Sequence, residues 1–350
     1  MSGLALAGVS SLLLAGCAAA PETGDDTPAA PDFLPCMVSD TGGFDDNSFN
    51  EIGKQGLDDA AAALGVKANA VESQAETDYA SNLSNLVDQG CNIIVTVGFL
   101  LADATKAAAE ANPDVDFAII DDSSIDLPNV KPIVFDTAQA AFLAGYAAAS
   151  YSKTGIVGTF GGIPIPPVTI FMDGFVDGVN YYNEVKGTSV KALGWDVAAQ
   201  DGAFTGGFEA NDTAKSTAKN LLDQGADVLL PVGGPIYTSG AEAIKDSGKD
   251  IALIGVDADV TQTDPSVAGI LLTSIMKGMQ VGVAEVVKST ADGKFDNSPF
   301  VGTLANGGVS IAPFHDFESK VDPGLQAELD ALTADIISGK VKVESPSSPK

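Results

Sequence analysis

The sequence predicts an α/β protein of two lobes, each a doubly wound parallel sheet flanked by helices, joined by several chain crossings. Three observations predict it. Short continuous apolar runs, of the kind buried on both faces in parallel sheets, alternate with helix-spaced segments along the chain. The alternation repeats in the second half, where Asp88-Gln89-Gly90 and Asp223-Gln224-Gly225 lead into apolar strands at a spacing of 135 residues. The strands end in Gly or Asp, at Gly98, Asp121-Asp122, Gly233 and Asp257, the edge at which open α/β sheets hold ligands. Carried on without a gap, the same spacing superposes Asp122 on Asp257. Two lobes whose ligand edges face each other make a cleft.

Residues Met1 to Cys17 carry no charged side chain and run through Leu12-Leu13-Leu14 to Ala15-Gly16-Cys17. The run is too short to span a bilayer, which takes ~20 apolar residues, and reads as a secretion signal. Residues 18–33, rich in Pro, Ala and acids, read as a flexible tether. The strand Leu34 to Val38 then enters the stretch Ser39 to Asn50. This stretch combines acceptors (Asp40, Asp45, Asp46), amides (Asn47, Asn50), pliant backbone (Gly42, Gly43) and flat faces (Phe44, Phe49). Such a set suits a neutral, ring-containing, hydroxyl-rich ligand. It equally suits a plain βα turn in which Ser48 caps the next helix and the carboxylates favour its positive end.

Helices are predicted over Glu51–Leu64, Asp78–Gln89 and Ala102–Ala111, with strands at Val66–Val71, Cys91–Gly98 and Phe117–Ile120. A crossing near Pro132–Thr137 precedes a helix over Ala141–Ser150. The second lobe follows as strand Gly155–Phe160, helix Val168–Asn183, strand Val190–Trp195, helix Asp212–Gln224, and strands Val228–Val232 and Ala252–Val256. Further crossings are expected after Asp257, and around Leu271–Ser274 or after Val301. The lobes then comprise residues 34–134, completed by about 262–305, and residues 135–261, completed by about 306–340. A last helix is predicted over Leu325–Ile337, and the Ser- and Pro-rich residues 341–350 are expected to fray.

Composition narrows the ligand. There are 47 acids against 18 bases, a formal charge of −29, and every base is Lys. A polyanion is repelled by such a surface, so nucleic acid is disfavoured and neutral or cationic small molecules remain. Cys36 and Cys91 both stand at the start of apolar runs. If those strands are neighbours, the pair falls within disulfide range; otherwise they are two buried thiols. Metal sites find little support. Asp45 to Glu51 starts like a calcium loop but has Phe49 and Asn50 where a ligand and a Gly belong, and His315, the only histidine, reads as structural or surface. Asp40-Thr41-Gly42 matches the aspartic-protease tripeptide, but Asp246-Ser247-Gly248 follows a helix-like segment rather than a strand and cannot supply the second carboxylate. With no Ser-His-Asp set, phosphate loop or dinucleotide fingerprint, no enzyme activity and no cofactor are expected. Lys277 stands where a helix begins, unfavourable for a cation, which marks it as a candidate for a role in the cleft alongside the plain reading of a solvated surface Lys.

Leu13-Leu14-Ala15-Gly16-Cys17 resembles the bacterial lipobox, which implies a lipid on Cys17 and a place on the extracytoplasmic face of the cell membrane. The stretches Ser39–Asn50, Gly90–Gly98, Phe117–Asp122, Ala140–Ala148, Asp223–Gly234, Gly255–Asp259 and Leu272–Lys277 together resemble the basic membrane protein family of substrate-binding lipoproteins. Its best-understood branch, the one like purine nucleoside receptor A, binds purine nucleosides for ABC importers. The resemblance implies a two-lobed, type I periplasmic-binding-protein-like fold, a monomer, and an ABC permease as partner. It implies Phe49 as the first-lobe ring against the base and Phe208 as the second, with Phe204 open as the alternative. Asp40 and Asn50 would meet the base and Asp257 the ribose. Asp121 or Asp122 would add contacts from its strand end. Gly98, Gly233 and Gly234 would leave room, and Lys277 would reach a ribose oxygen or a cleft Asp. On residue type alone, Phe49 and Phe208 also read as core and the strand-end Asp residues as helix caps. Two rival functions share such a cleft: a lipid-anchored sensor, and a receptor for a sugar-like solute.

Overall fold

The structure, a computed structural model, describes residues 33–350. The predicted signal, Cys17 and nearly all of the tether lie outside the described residues. In chain order the first lobe contains β1 (Pro35–Ser39), α1 (Phe49–Leu64), β2 (Asn69–Val71), α2 (Tyr79–Asp88), β3 (Ile93–Val97), α3 (Ala102–Ala111), β4 (Asp116–Ile120) and β5 (Val130–Phe135). The second contains α4 (Ala138–Tyr151), β6 (Ile156–Gly161), α5 (Pro166–Lys186), β7 (Lys191–Leu193), β8 (Trp195–Asp196), β9 (Asp201–Gly202), α6 (Asp212–Asp223), β10 (Val228–Val232), α7 (Ile236–Ser247), β11 (Ala252–Asp257), α8 (Val260–Thr263) and β12 (Leu271–Lys277). The chain finishes with α9 (Met279–Ala291), β13 (Phe300–Gly302), β14 (Val309–Ile311) and α10 (Leu325–Ile337).

The two sheets follow one path. Strand order is β2-β1-β3-β4-β5-β13 in the first and β7-β6-β10-β11-β12-β14 in the second, all neighbours parallel except β14 against β12. Strands β1, β3, β10 and β11 are buried along their whole length, which is why they read as unbroken apolar runs. Helix ends follow the sequence as well. Helix α1 stops at Gly65 and α5 at Gly187, both left-handed, and Pro166 opens α5, where its missing N–H costs nothing. Cys36 and Cys91 are joined, with Cα atoms 5.9 Å apart, because β1 lies beside β3.

Three expectations need correction. The chain does not return to the first lobe after Asp257: β12 pairs with β11, so residues 271–277 extend the second sheet, and the crossing comes at Gly278. The other crossings are at Asp136–Thr137 and between β13 and β14. Second, the repeat is not gapless. Ile93 pairs with Asp116 but Val228 with Ala252, one residue more, so Asp121 and not Asp122 is the counterpart of Asp257. Both of these residues take the left-handed conformation, at φ 67° and 70°. Third, the C-terminal residues are not frayed. Val341 and Val343 pack on the core, and Ser345, Ser347 and Ser348 are hydrogen-bonded to the body of the protein.

Candidate functional site

The carboxyl ends of both sheets meet at one cavity. From the first lobe, Asp40 follows β1 and accepts from Gly42 N at 2.9 Å and Asn50 Nδ2 at 2.8 Å. Asp46 accepts from the backbone N–H groups of Ser48, Asn50 and Glu51, so it caps α1 in place of Ser48. Ser48 Oγ is thereby released toward the other lobe and reaches Val256 O at 3.2 Å and Asp257 Oδ2 at 3.3 Å. Phe49, the first residue of α1, lines the cavity beside Gly98. Asn50 is buried, yet its Oδ1 has no hydrogen-bond partner. A buried amide oxygen ordinarily has a donor, and this one lacks it.

From the second lobe comes Phe208. Its ring lies on bare backbone: a Cβ added at Gly162 would meet it at 2.4 Å, and one at Gly233 at 2.6 Å. Gly98 and Gly233 end the equivalent strands β3 and β10 at φ 114° and 143°, and each leaves space for an aromatic ring against the strand end. Phe204 is settled otherwise. It bridges Gly161 and packs edge-on against Trp195, with ring centroids 5.9 Å apart, outside the cavity wall. Gly234 lines the cavity beside Gly233.

Between the lobes lies a buried charge cluster. Lys277 Nζ is 2.6 Å from Asp121 Oδ2 and 3.6 Å from Asp257 Oδ1, with all three side chains at most 7% exposed. Three rings, Phe49, Phe135 and Phe171, stand 5.1 to 5.9 Å from the ammonium. Burial pulls the lysine down, but the charges of Asp121 and Asp257 outweigh it and leave Lys277 above the ordinary lysine range. Burial raises Asp257 to about 6 against the pull of Lys277. It raises Asp40 to about 6 as well, against its bonds from Gly42 and Asn50. Two carboxylates poised near neutrality thus face a cavity with few solvated neighbours.

The cavity wall contains Asp40, Phe49, Asn50, Gly98, Asp121, Phe208, Gly233, Gly234, Asp257 and Lys277. Asp122 is not in it: its carboxylate turns back to bond Ser124 N at 3.0 Å and Ser124 Oγ at 2.8 Å. That bonding is local turn capping. Sequence reasoning missed Val168 and Phe171 of α5, and gave Asp46, though named among the acceptors, no place in the cavity wall. Phe171 sits in an apolar helical run that looks like core, and its only signal is the double Pro that points the start of α5 at the cleft. His315 lies elsewhere, with Nε2 2.8 Å from Asp259 Oδ2.

Residues 33–345 match the family described as ABC transporter substrate-binding protein, PnrA-like. The ABC transporter nucleoside-binding protein BmpA of Lactococcus lactis subsp. cremoris is 30% identical over 99% of this chain and 98% of its own length. Basic membrane protein A of Borreliella burgdorferi is 30% identical over 87% of this chain and 86% of its own. Among solved structures, an ABC transporter solute-binding protein from Aeropyrum pernix K1 superposes with a TM-score of 0.80 at 26% identity, covering 90% of this chain and 94% of that one.

Proposed function

The chain belongs to the PnrA-like ABC transporter substrate-binding family, and from that premise we propose that it captures nucleosides, purine nucleosides above all, for an ABC permease. In this reading the protein is a monomer, held by a lipid on Cys17 to the outer face of the membrane. It makes and breaks no bond in its ligand. One observation carries the reading: an aromatic ring from each lobe, Phe49 and Phe208, in the wall of a single cavity that also holds two polar clusters. Stacking on a ring is tolerant of which base is present. Asp40 and Asn50 offer acceptors to the base edge, and Asn50 Oδ1 gains there the donor it lacks. Asp121, Asp257 and Lys277 offer the charged partners that ribose hydroxyls require.

The cavity is tight, about 60 Å³ in volume. A nucleoside enters only as the lobes part. Contacts that cross the cleft, Ser48 to Asp257, Asp121 to Lys277 and Thr263 Oγ1 to Asn47 O, are those that opening must break and closure restores. Binding and lobe movement are then one equilibrium, and a permease that reads the closed form reads occupancy.

A thermal-shift panel tests the reading, since a ligand that binds only the folded state raises the melting temperature. Inosine, guanosine and adenosine are expected to raise it and ribose and hexoses are not; a response to sugars alone would discard the nucleoside. Phe49→Ala is expected to weaken nucleoside binding by about 1 to 3 kcal/mol with the fold intact. Calorimetric titration measures it, and an unchanged Kd would remove Phe49 from the site.

A further inference from the structure

The buried carboxylate of Asp173 has no place in the cleft. It sits in the middle of α5 at 0% exposure. Three groups from two segments donate to it. Trp195 Nε1 and Gln200 Nε2 each reach Oδ1 at 2.8 Å, and Ser345 Oγ reaches Oδ2 at 2.6 Å. The first two belong to the β8–β9 hairpin, and Gln200 is held there in the left-handed conformation at φ 52°, uncommon for a residue with a side chain. The third belongs to the C-terminal segment.

The hairpin leads straight to the second stacking ring. From β9 the chain runs along the end of β6: Gly161 N donates to Ala203 O, Thr205 N to Gly161 O and Gly206 N to Gly162 O. Phe204 is wedged between Gly161 and the Trp195 ring. Four residues later Phe208 lies on Gly162 and Gly233. The other end of this linkage is the tail. Ser347 Oγ is 2.8 Å from Thr169 Oγ1, and Ser348 Oγ donates at 2.8 Å to Asp136, the residue at which the first crossing between lobes begins.

We propose that Asp173, completed by Ser345 of the docked C-terminal segment, is the positioning residue of the loop that carries Phe208. A buried anion accepting three donors holds the hairpin at one height on α5, and the hairpin fixes where the aromatic loop meets the cleft. Without the tail, Oδ2 loses its donor and the anchor loosens. The inference rests on Phe208 being a wall of the ligand site.

Trp195, the only tryptophan, reports on the anchor directly. The full chain is compared with Ser345→Ala, Ser345→Thr, Asp173→Asn and Phe208→Ala by inosine titration and by acrylamide quenching of Trp195 without ligand. Ser345→Ala and Asp173→Asn are expected to raise the Kd for inosine about three- to tenfold and to make Trp195 easier to quench, while Ser345→Thr restores both. Should Phe208→Ala weaken inosine while Ser345→Ala and Asp173→Asn leave Kd within about twofold, the positioning role is overturned and the cleft stands. If Phe208→Ala has no effect on inosine binding, the stacking reading and the positioning role fall together.

Discussion

Lys277→Met is expected to lower stability at pH 7.5 by about 3 to 5 kcal/mol, the usual cost of removing one partner from a buried ion pair. Shape is not the reason. Methionine fills nearly the same volume and packs well against Phe49, Phe135 and Phe171, which already surround the ammonium. The loss comes from Asp121 and Asp257, which remain buried with no cation between them. Its signature is the pH dependence. Burial raises both carboxyls already, so ionising them opposes folding at any pH above their folded-state pKa. That opposition fades as pH falls and is gone below the unfolded-state value near 3.8, where both states carry the proton. Removing the lysine raises both groups further. The deficit against the parent protein is therefore expected to be largest at pH 8 and to shrink by pH 5. Urea melts at the two pH values measure it, and a deficit below about 1 kcal/mol at both would place the charge cluster among ordinary surface pairs.

Much of this site was legible because it sits where strands end. The run from Ser39 to Asn50, Gly98 and Gly233 stand at strand-to-helix turns, and the 135-residue repeat marks the second-lobe partners. What it could not decide were choices between neighbours. Asp121 and Asp122 stand side by side after β4, and which of them is the counterpart of Asp257 turns on a one-residue difference in strand register between the lobes. Phe204 and Phe208 differ in which glycines they lie on: Phe204 lies on Gly161, the last residue of β6, whereas Phe208 lies on Gly162 and on Gly233 of the cavity wall. Neither distinction leaves a trace in hydrophobic periodicity.

Long-range return contacts were the other blind spot. Leu271 to Lys277 opens on an apolar run much as the first-lobe strands do, and nothing local says that it pairs with β11. The Ser- and Pro-rich end has the composition of a frayed tail, yet its serines find the buried or half-buried acceptors Asp173 and Asp136. Composition speaks for the residues themselves and not for partners 172 and 212 positions away, which is how a docked tail passes for a loose one.

Asp257 should govern both the ligand preference and the pH dependence of binding. Its pKa of about 6 means that the carboxylate form is costly in the free protein. A ribose whose hydroxyls donate to that carboxylate favours the ionised form, so binding must expel the proton below pH 6. The sign follows: affinity for inosine is flat above about pH 7 and falls as pH drops, by about tenfold at pH 5 for this one group. Asp257→Asn keeps the shape and one acceptor oxygen but removes the charge. It is expected to cost inosine about 2 to 3 kcal/mol at pH 7.5, the range for hydrogen bonds to a charged group, and to cost hypoxanthine, which lacks the ribose, far less. Any pH dependence that remains in the variant belongs to Asp40, also raised to about 6 on the side assigned to the base, and it should then be shared by inosine and hypoxanthine. Calorimetric titrations of both ligands at pH 5 and pH 7.5 separate the two carboxylates. Equal losses for inosine and hypoxanthine on Asp257→Asn would move Asp257 away from the ribose, and a steeper pH profile in the variant than in the parent protein would reverse the assignment of the two groups.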